Sequence, residues 1–388
     1  MRILFISCGG TIVSADGQNT DIAALEAVEN AAGALLKEVW IPRFKQSLLR
    51  RAKDSAEQKA IENDTLIDTL DLLSCDSTEI GPLEWRKIAE CIVDNYDRYD
   101  GFILAHGTNT LSYSASAIRF ALPLLGKPIV LTGSNTPMGL PYSDAQVNFS
   151  NAVLVVQKLI QDGLPGVSVV FASRIMPGVR TKKANGTEWD AFKTFNAPDL
   201  GQIRTKGEVV INMNEYRRYF APDIEGSPWQ GKPPAKKKID LLPFVYRDFQ
   251  ALISSHTFHP GDDPRTYLAV MEVLLKLKKE SGLRGALIIR AVGDGDTSKI
   301  IQAEVLQQAN DMEIPIVLTT QEPQGTSRLQ ANAQSAQVMS RTFAIPAWDM
   351  NIETMVVKMR YLLNRDLGYN EIVNEFAKNY FGEINIKK

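Results

Sequence analysis

The chain is 388 residues long, which at roughly 150 residues per domain predicts two or three domains. Its 43 Lys plus Arg nearly balance 45 Asp plus Glu, a formal charge of −2, which argues against a protein built to neutralise nucleic-acid phosphates or a lipid surface. An apolar share of 44% and a charged share of 23% exclude global disorder.

The first buried strand is expected at Ile3-Leu4-Phe5-Ile6, an uninterrupted apolar run stopped by Cys8-Gly9-Gly10. That run is too short for a signal peptide, and no stretch approaches the ~20 apolar residues of a membrane span. Gly101–Ala105, 128–131 and Gly166–Phe171 repeat the strand pattern. Helical spacing over 85–96, 112–125 and 146–159 fills the intervals, with Ile88, Ile92 and Val93 on one face of the first. Strand and helix in alternation predict a parallel sheet with right-handed crossovers. Pro222, Pro228, Pro233, Pro234 and the run Lys236-Lys237-Lys238 read as a solvated linker. Beyond it, 285–290 and 314–318 read as buried strands and 351–363 as an amphipathic helix. The expected fold class is α/β with two α/β domains. A larger N-terminal catalytic domain with a parallel sheet spans 1–215, a linker 216–240, and a smaller C-terminal domain 241–388.

Cys8, Cys75 and Cys91 are odd in number and form no C-x-x-C pair, which fits neither a disulfide framework nor a zinc site and points to the cytoplasm. His256 and His259, with Pro260 next, read as a surface loop rather than a metal site.

In open α/β sheets ligands bind beyond the carboxyl ends of strands. Two polar turns are expected there, Gly9-Gly10-Thr11-Ile12 and His106-Gly107-Thr108-Asn109-Thr110-Leu111. Each sets a hydroxyl beside glycines, where backbone N–H groups can approach a substrate. Neither has dinucleotide-fingerprint spacing or a Walker lysine, and Gly293-Asp294-Gly295-Asp296 reads as a tight turn rather than a calcium loop. A hydroxyl nucleophile needs a base. No Ser-His-Asp arrangement is evident, and a lysine made neutral by burial is the other candidate. Spacing does not choose one lysine among many. The residues alone reach a hydrolytic or transfer enzyme with threonine-rich turns.

Those turns, together with Leu131-Thr132-Gly133-Ser134, Ser143-Asp144 and Arg180-Thr181-Lys182-Lys183-Ala184 through Asp190-Ala191-Phe192, resemble the bacterial-type L-asparaginase family of amidohydrolases, nearest its cytoplasmic type I branch. The similarity runs over most of the chain except around 35–65 and 225–265. The resemblance implies hydrolysis of a side-chain amide, by default L-asparagine to L-aspartate and ammonia, through a threonine acyl-enzyme. Thr11 would be the nucleophile, and Thr108 with Lys183 a hydroxyl–amine pair that moves protons. Ser77 and Thr78 would hold the substrate's α-carboxylate, Asn109 would face its α-nitrogen, and backbone N–H groups at the two turns, Gly10 included, would face the oxyanion. Such a donor contributes about 3–4 kcal/mol. The resemblance also implies a homodimer or homotetramer, a small-molecule amide substrate, no nucleic-acid or membrane partner, and no cofactor or metal.

Two departures bear on substrate. Asn109 stands where the family has aspartate, so a charge-assisted bond of about 1.5–3 kcal/mol to an α-ammonium becomes a neutral one of about 0.5–1.5. The stretch Asp16-Gly17-Gln18-Asn19-Thr20 lacks the tyrosine that the family presents to its first threonine. The expected substrate therefore extends to amides without a free α-ammonium. Two alternatives stand beside the default: a catalytically weakened member that binds an amino acid or modified amide, and an amidase for a peptide- or macromolecule-linked amide.

Overall fold

Apolar runs without polar interruption make strands covered on both faces, and such strands form the centre of the larger sheet. A computed structural model describes residues 1–9, 41–49, 66–137, 140, 142–329 and 344–385. Strands β1 (Arg2–Ser7), β2 (Leu66–Asp71), β3 (Gly101–Ala105), β4 (Pro128–Thr132) and β5 (Gly166–Phe171) run parallel in the order β2-β1-β3-β4-β5. Every residue of β3 and β4 is buried. The sheet then turns antiparallel through β6 (Arg174–Pro177). A separate hairpin, β7 (Thr181–Lys183) with β8 (Phe192–Thr194), precedes the last two strands of the large sheet, β9 (Gly201–Ile203) and β10 (Val209–Ile211).

Helices cover the sheet, the last three of them where the spacing predicts. They are α1 (Ile41–Leu49), α2 (Pro82–Asp94), α3 (Leu111–Ala121) and α4 (Ala145–Gln161). Helix α3 stops short of the expected 125 because Pro123 follows and disfavours helical backbone before it. Its Ser112, Ser114, Ala115, Ser116 and Ala117 are all buried, small side chains that let the helix lie close to its neighbours. Phe149 of α4 anchors an aromatic core, with ring centroids 5.7 Å from Phe5 and 6.2 Å from Phe44.

A second parallel sheet has the order β11 (Leu252–Thr257), β12 (Gly285–Ala291), β13 (Ile316–Thr320), β14 (Ile345–Pro346). Strand β13 starts two residues later than expected, after Pro315, which has no N–H to give a ladder. Helices α5 (Pro264–Ser281), α6 (Ile352–Leu363) and α7 (Tyr369–Phe376) accompany it. Asn351 caps α6 by accepting from Thr354 N at 3.1 Å. Lys358 of α6 is fully buried and donates to Glu383, equally buried, at 2.7 Å.

The chain divides into two compact units: Met1–Thr194 with Pro198–Asp223 and Gly231–Arg247, and Phe195–Ala197 with Ile224–Gln230 and Asp248–Lys388. The expected linker 216–240 is thus shared out between them rather than free of both. In the first unit Ala235 bridges to Leu125 in β fashion, its carbonyl accepts from Tyr96 Oη at 2.8 Å, and Lys238 pairs with Asp94 at 2.7 Å. Ile224–Gln230 is held in the second unit through Ser227 Oγ, which donates to Tyr380 O at 3.0 Å.

Candidate active site

The order β2-β1-β3 places the reversal of strand order between β1 and β3, and the carboxyl edge at such a point is where open α/β sheets bind ligands. Three loops leave that edge together. Cys8 N donates to Ala105 O at 2.8 Å and Leu72 N to Ser7 O at 2.9 Å, tying the ends of β1, β3 and β2. Gly9 has φ +79°, and a Cβ there would stand 2.3 Å from the Cys75 carbonyl oxygen, so only glycine lets the first turn pass the loop after β2.

In the loop after β2, Asp76 caps a single helical turn at Ser77–Glu79, accepting from Thr78 N at 2.8 Å and Thr78 Oγ1 at 2.6 Å. Those two bonds hold the Asp76 carboxyl below its usual value. Ser77 is buried, and its carbonyl accepts from Thr110 Oγ1. The Ser77-Thr78 turn is thereby fixed to the loop after β3.

That loop is built around His106, which is fully buried and donates from Nδ1 to Gly107 O at 2.8 Å. Burial pushes the ring down to about 4 against the opposing effect of that bond, so it is neutral at neutral pH and only weakly basic. Gly133 of the neighbouring loop has no room for a Cβ, which would lie 2.3 Å from His106 O. Asp144 clamps this neighbouring loop by accepting from Asn135 N at 3.0 Å, Thr136 N at 3.0 Å and Asn148 Nδ2 at 3.2 Å.

The hairpin delivers the lysine. Phe192, opposite Lys183 in register, is buried with its ring centroid 4.8 Å from Phe171, and Thr181 Oγ1 donates to Pro177 O at 2.9 Å. Side chains alternate along a strand, so Lys183 and its neighbour Lys182 leave on opposite faces. Lys183 Nζ donates to Thr108 Oγ1 at 2.8 Å and to Asn109 Oδ1 at 3.0 Å. Thr108 is buried and Asn109 exposed. Burial pushes the Lys183 amine below the ordinary lysine value, which brings the neutral, proton-accepting form within reach.

Of the residues singled out in the sequence, Thr108, Asn109 and Lys183 meet directly, and Ser77 and Thr78 are tied to their loop through Thr110. Gly10, Thr11, Gln18 and Asn19 lie outside the described residues. Three contributors have no role assigned from the sequence: Thr110, the cap Asp76 and the clamp Asp144. Asp76 ahead of Ser-Thr-Glu is itself a helix-start signal.

In the second unit, His256 is a strand residue of β11 rather than a loop residue. It and His259 converge on Asp262 at 3.3 and 2.9 Å. Gly293-Asp294-Gly295-Asp296 is a tight turn closed by Asp296 N on Val292 O at 2.7 Å. Among the described residues no group of three or more His, Cys, Asp or Glu is arranged to hold a metal ion, and no helix is long and apolar enough to cross a membrane.

Comparison with known proteins identifies the family. The N-terminal asparaginase family profile matches residues 2–217, and the glutaminase/asparaginase C-terminal domain profile matches 254–376. The chain is 31% identical to L-asparaginase 1 of Escherichia coli over 311 residues, 80% of this chain and 82% of the relative. It is 28% identical to a glutamyl-tRNA(Gln) amidotransferase component of Aeropyrum pernix, over 99% of this chain and 79% of that one. The solved thermostable L-asparaginase from Thermococcus kodakarensis superposes with a TM-score of 0.74 at 25% identity, each chain covered in full at 100%.

Proposed function

Because the chain belongs to the asparaginase family of amidohydrolases, we propose that it hydrolyses a side-chain amide, in the default case L-asparagine to L-aspartate and ammonia, through a threonine acyl-enzyme. The observation that carries this reading is Lys183 Nζ at 2.8 Å from Thr108 Oγ1, at the carboxyl edge between β1 and β3.

In the proposed cycle a neutral Lys183 takes a proton relayed through Thr108, and the nucleophilic hydroxyl, assigned to Thr11, adds to the amide carbon. The oxyanion that forms is stabilised by backbone N–H donors of the glycine-rich turns. The proton then passes to the amide nitrogen, the C–N bond breaks and ammonia leaves. Water repeats the addition on the ester, returning the hydroxyl and releasing the acid. Ser77 and Thr78 are proposed to bind the α-carboxylate. Asp76 and Thr110 are positioning residues that act through them.

The test is ammonia release from L-asparagine, L-glutamine and their derivatives, with mass spectrometry on quenched enzyme. The reading expects turnover abolished in Thr108→Val and Thr11→Val, and an acyl adduct on the peptide bearing Thr11. Turnover that survives both substitutions overturns it. The three cysteines are free thiols, which supports a cytoplasmic location, and a homodimer or homotetramer is proposed as the working assembly. A second reading, an amidase acting with a partner protein on a macromolecule-linked amide, draws support from the amidotransferase relative whose match spans 99% of this chain.

A further inference from the structure

We infer that this site selects a side-chain amide whose α-nitrogen is acylated, an N-acyl or peptide-linked asparagine or glutamine, with the acyl carbonyl accepting from Asn109 Nδ2. The inference rests on the proposed amide hydrolysis and adds its substrate class.

The orientation of the Asn109 amide follows from its neighbour. Lys183 Nζ donates to Oδ1 at 3.0 Å, so the acceptor end of the side chain is occupied and the two N–H donors of Nδ2 are left over. Among the described residues Nδ2 has no partner, and Asn109 is exposed. A group bound against it meets a donor. An α-ammonium is also a donor, and Asn109 carries no charge to offset its own, so the pair is mismatched in both hydrogen bonding and charge. An acylated nitrogen removes the charge and supplies a carbonyl that Nδ2–H can reach.

Among the described residues, two carboxylates of the surrounding loops, Asp76 and Asp144, are engaged elsewhere. Asp76 is turned to its own helical turn, its Oδ1 accepting from both Thr78 N and Thr78 Oγ1. Asp144 is buried and occupied by Asn135 N, Thr136 N and Asn148 Nδ2. Because Asn109 is exposed, a substituent on the α-nitrogen extends toward solvent and needs no cavity of its own.

Product binding tests selection apart from turnover. Isothermal titration of the whole protein with N-acetyl-L-aspartate and with L-aspartate is expected to favour the acetylated acid by about tenfold, equivalent to about 1.4 kcal/mol. Asn109→Asp reverses the order, and Asn109→Ala weakens the acetylated acid without strengthening the free one. Tighter or equal binding of L-aspartate to the wild type, no binding of either acid, or a preference untouched by Asn109→Asp would each overturn the inference. Ammonia release from N-acetyl-L-asparagine and L-asparagine is measured in parallel. Acetyl-selective, Asn109-dependent binding without ammonia from either amide contradicts the hydrolytic reading alone. Faster turnover of L-asparagine contradicts the selectivity alone.

Discussion

Lys183 and Thr108 lie 75 positions apart in the chain, yet the amine of one stands 2.8 Å from the hydroxyl of the other. The contact joins a three-residue hairpin strand to the loop that leaves a fully buried strand, and neither partner is a histidine. In the proposed cycle, proton transfer at this site depends on how readily Lys183 becomes neutral.

The first prediction follows from the neighbour at 3.0 Å. Asn109 is uncharged, and burial lowers the Lys183 amine without a carboxylate to oppose it. Asn109→Asp places an anion there, favours the ammonium, and should raise the acidic limb of the pH–rate profile by about one unit or more. Profiles of the two proteins from pH 5 to 10, on one amide, check this; a limb that stays put or moves down contradicts it.

Gly133 is predicted to matter for activity more than for folding. An added methyl would stand 2.3 Å from the His106 backbone oxygen and 3.5 Å from the Thr108 methyl. Gly133→Ala should cost about 1–3 kcal/mol of stability while displacing Thr108 and lowering kcat by ~10²-fold, the scale expected for a misplacement near 1 Å. Urea unfolding and steady-state kinetics on the same preparation measure both. Unchanged kcat with a folded protein would show that Thr108 tolerates the shift.

His106 should make the protein acid-sensitive. Its folded value of about 4 lies below the unfolded value near 6.5. The unfolded chain therefore binds the extra proton first. The stability that the neutral ring contributes is fully present above pH 6.5 and is lost progressively as pH falls toward 4, by about 3 kcal/mol in all. His106→Asn should flatten this window in a stability-versus-pH series. An equally steep decline in the variant would place the sensitivity elsewhere.

The buried pair in the second sheet's unit offers a stability test away from the site. Lys358 and Glu383 are both inaccessible, and Glu383 also accepts from Tyr380 N and Phe381 N at 3.0 and 2.6 Å. Glu383→Gln leaves an uncompensated ammonium and should destabilise by about 3–5 kcal/mol. The double substitution Lys358→Met with Glu383→Gln should recover part of that loss, as calorimetry of the three proteins would reveal.

The elements legible in the sequence are those whose environment is uniform. Strands β1, β3, β4, β5 and β12 are covered on both faces and read as mainly apolar runs, with Ser168 in β5 and Arg290 in β12 the polar residues in their interiors. Strand β2 lies at the edge of the sheet beside β1, and none of its residues over Leu-Ile-Asp-Thr-Leu-Asp is fully buried, so it carries no such run. Helix α5 has a start signal in Asp263-Pro264 and a stop at Gly282, φ +75°, but along its length buries little beyond Tyr267, Met271 and Leu274. Its charged surface hides the apolar stripe.

The site divides the same way. Thr108 and Asn109 are readable because they follow a strand that announces itself. Lys183 is not, because Thr-Lys-Lys paired with Phe-Lys-Thr has no pattern that distinguishes a hairpin from a loop, and only the resemblance singles it out. The roles of Asp76, Thr110 and Asp144 are bonds within and between loops, and those that join distant loops appear only once the strands have brought the loops together.

The most direct measurement is kcat of Lys183→Arg. Arginine keeps the positive charge and can donate toward Thr108 and Asn109, but it does not become neutral in a protein. A neutral amine as proton acceptor predicts that kcat falls by about 10²–10⁴-fold while product binding persists. A variant that turns over within about threefold of the wild type, well short of a general-base loss, would contradict it.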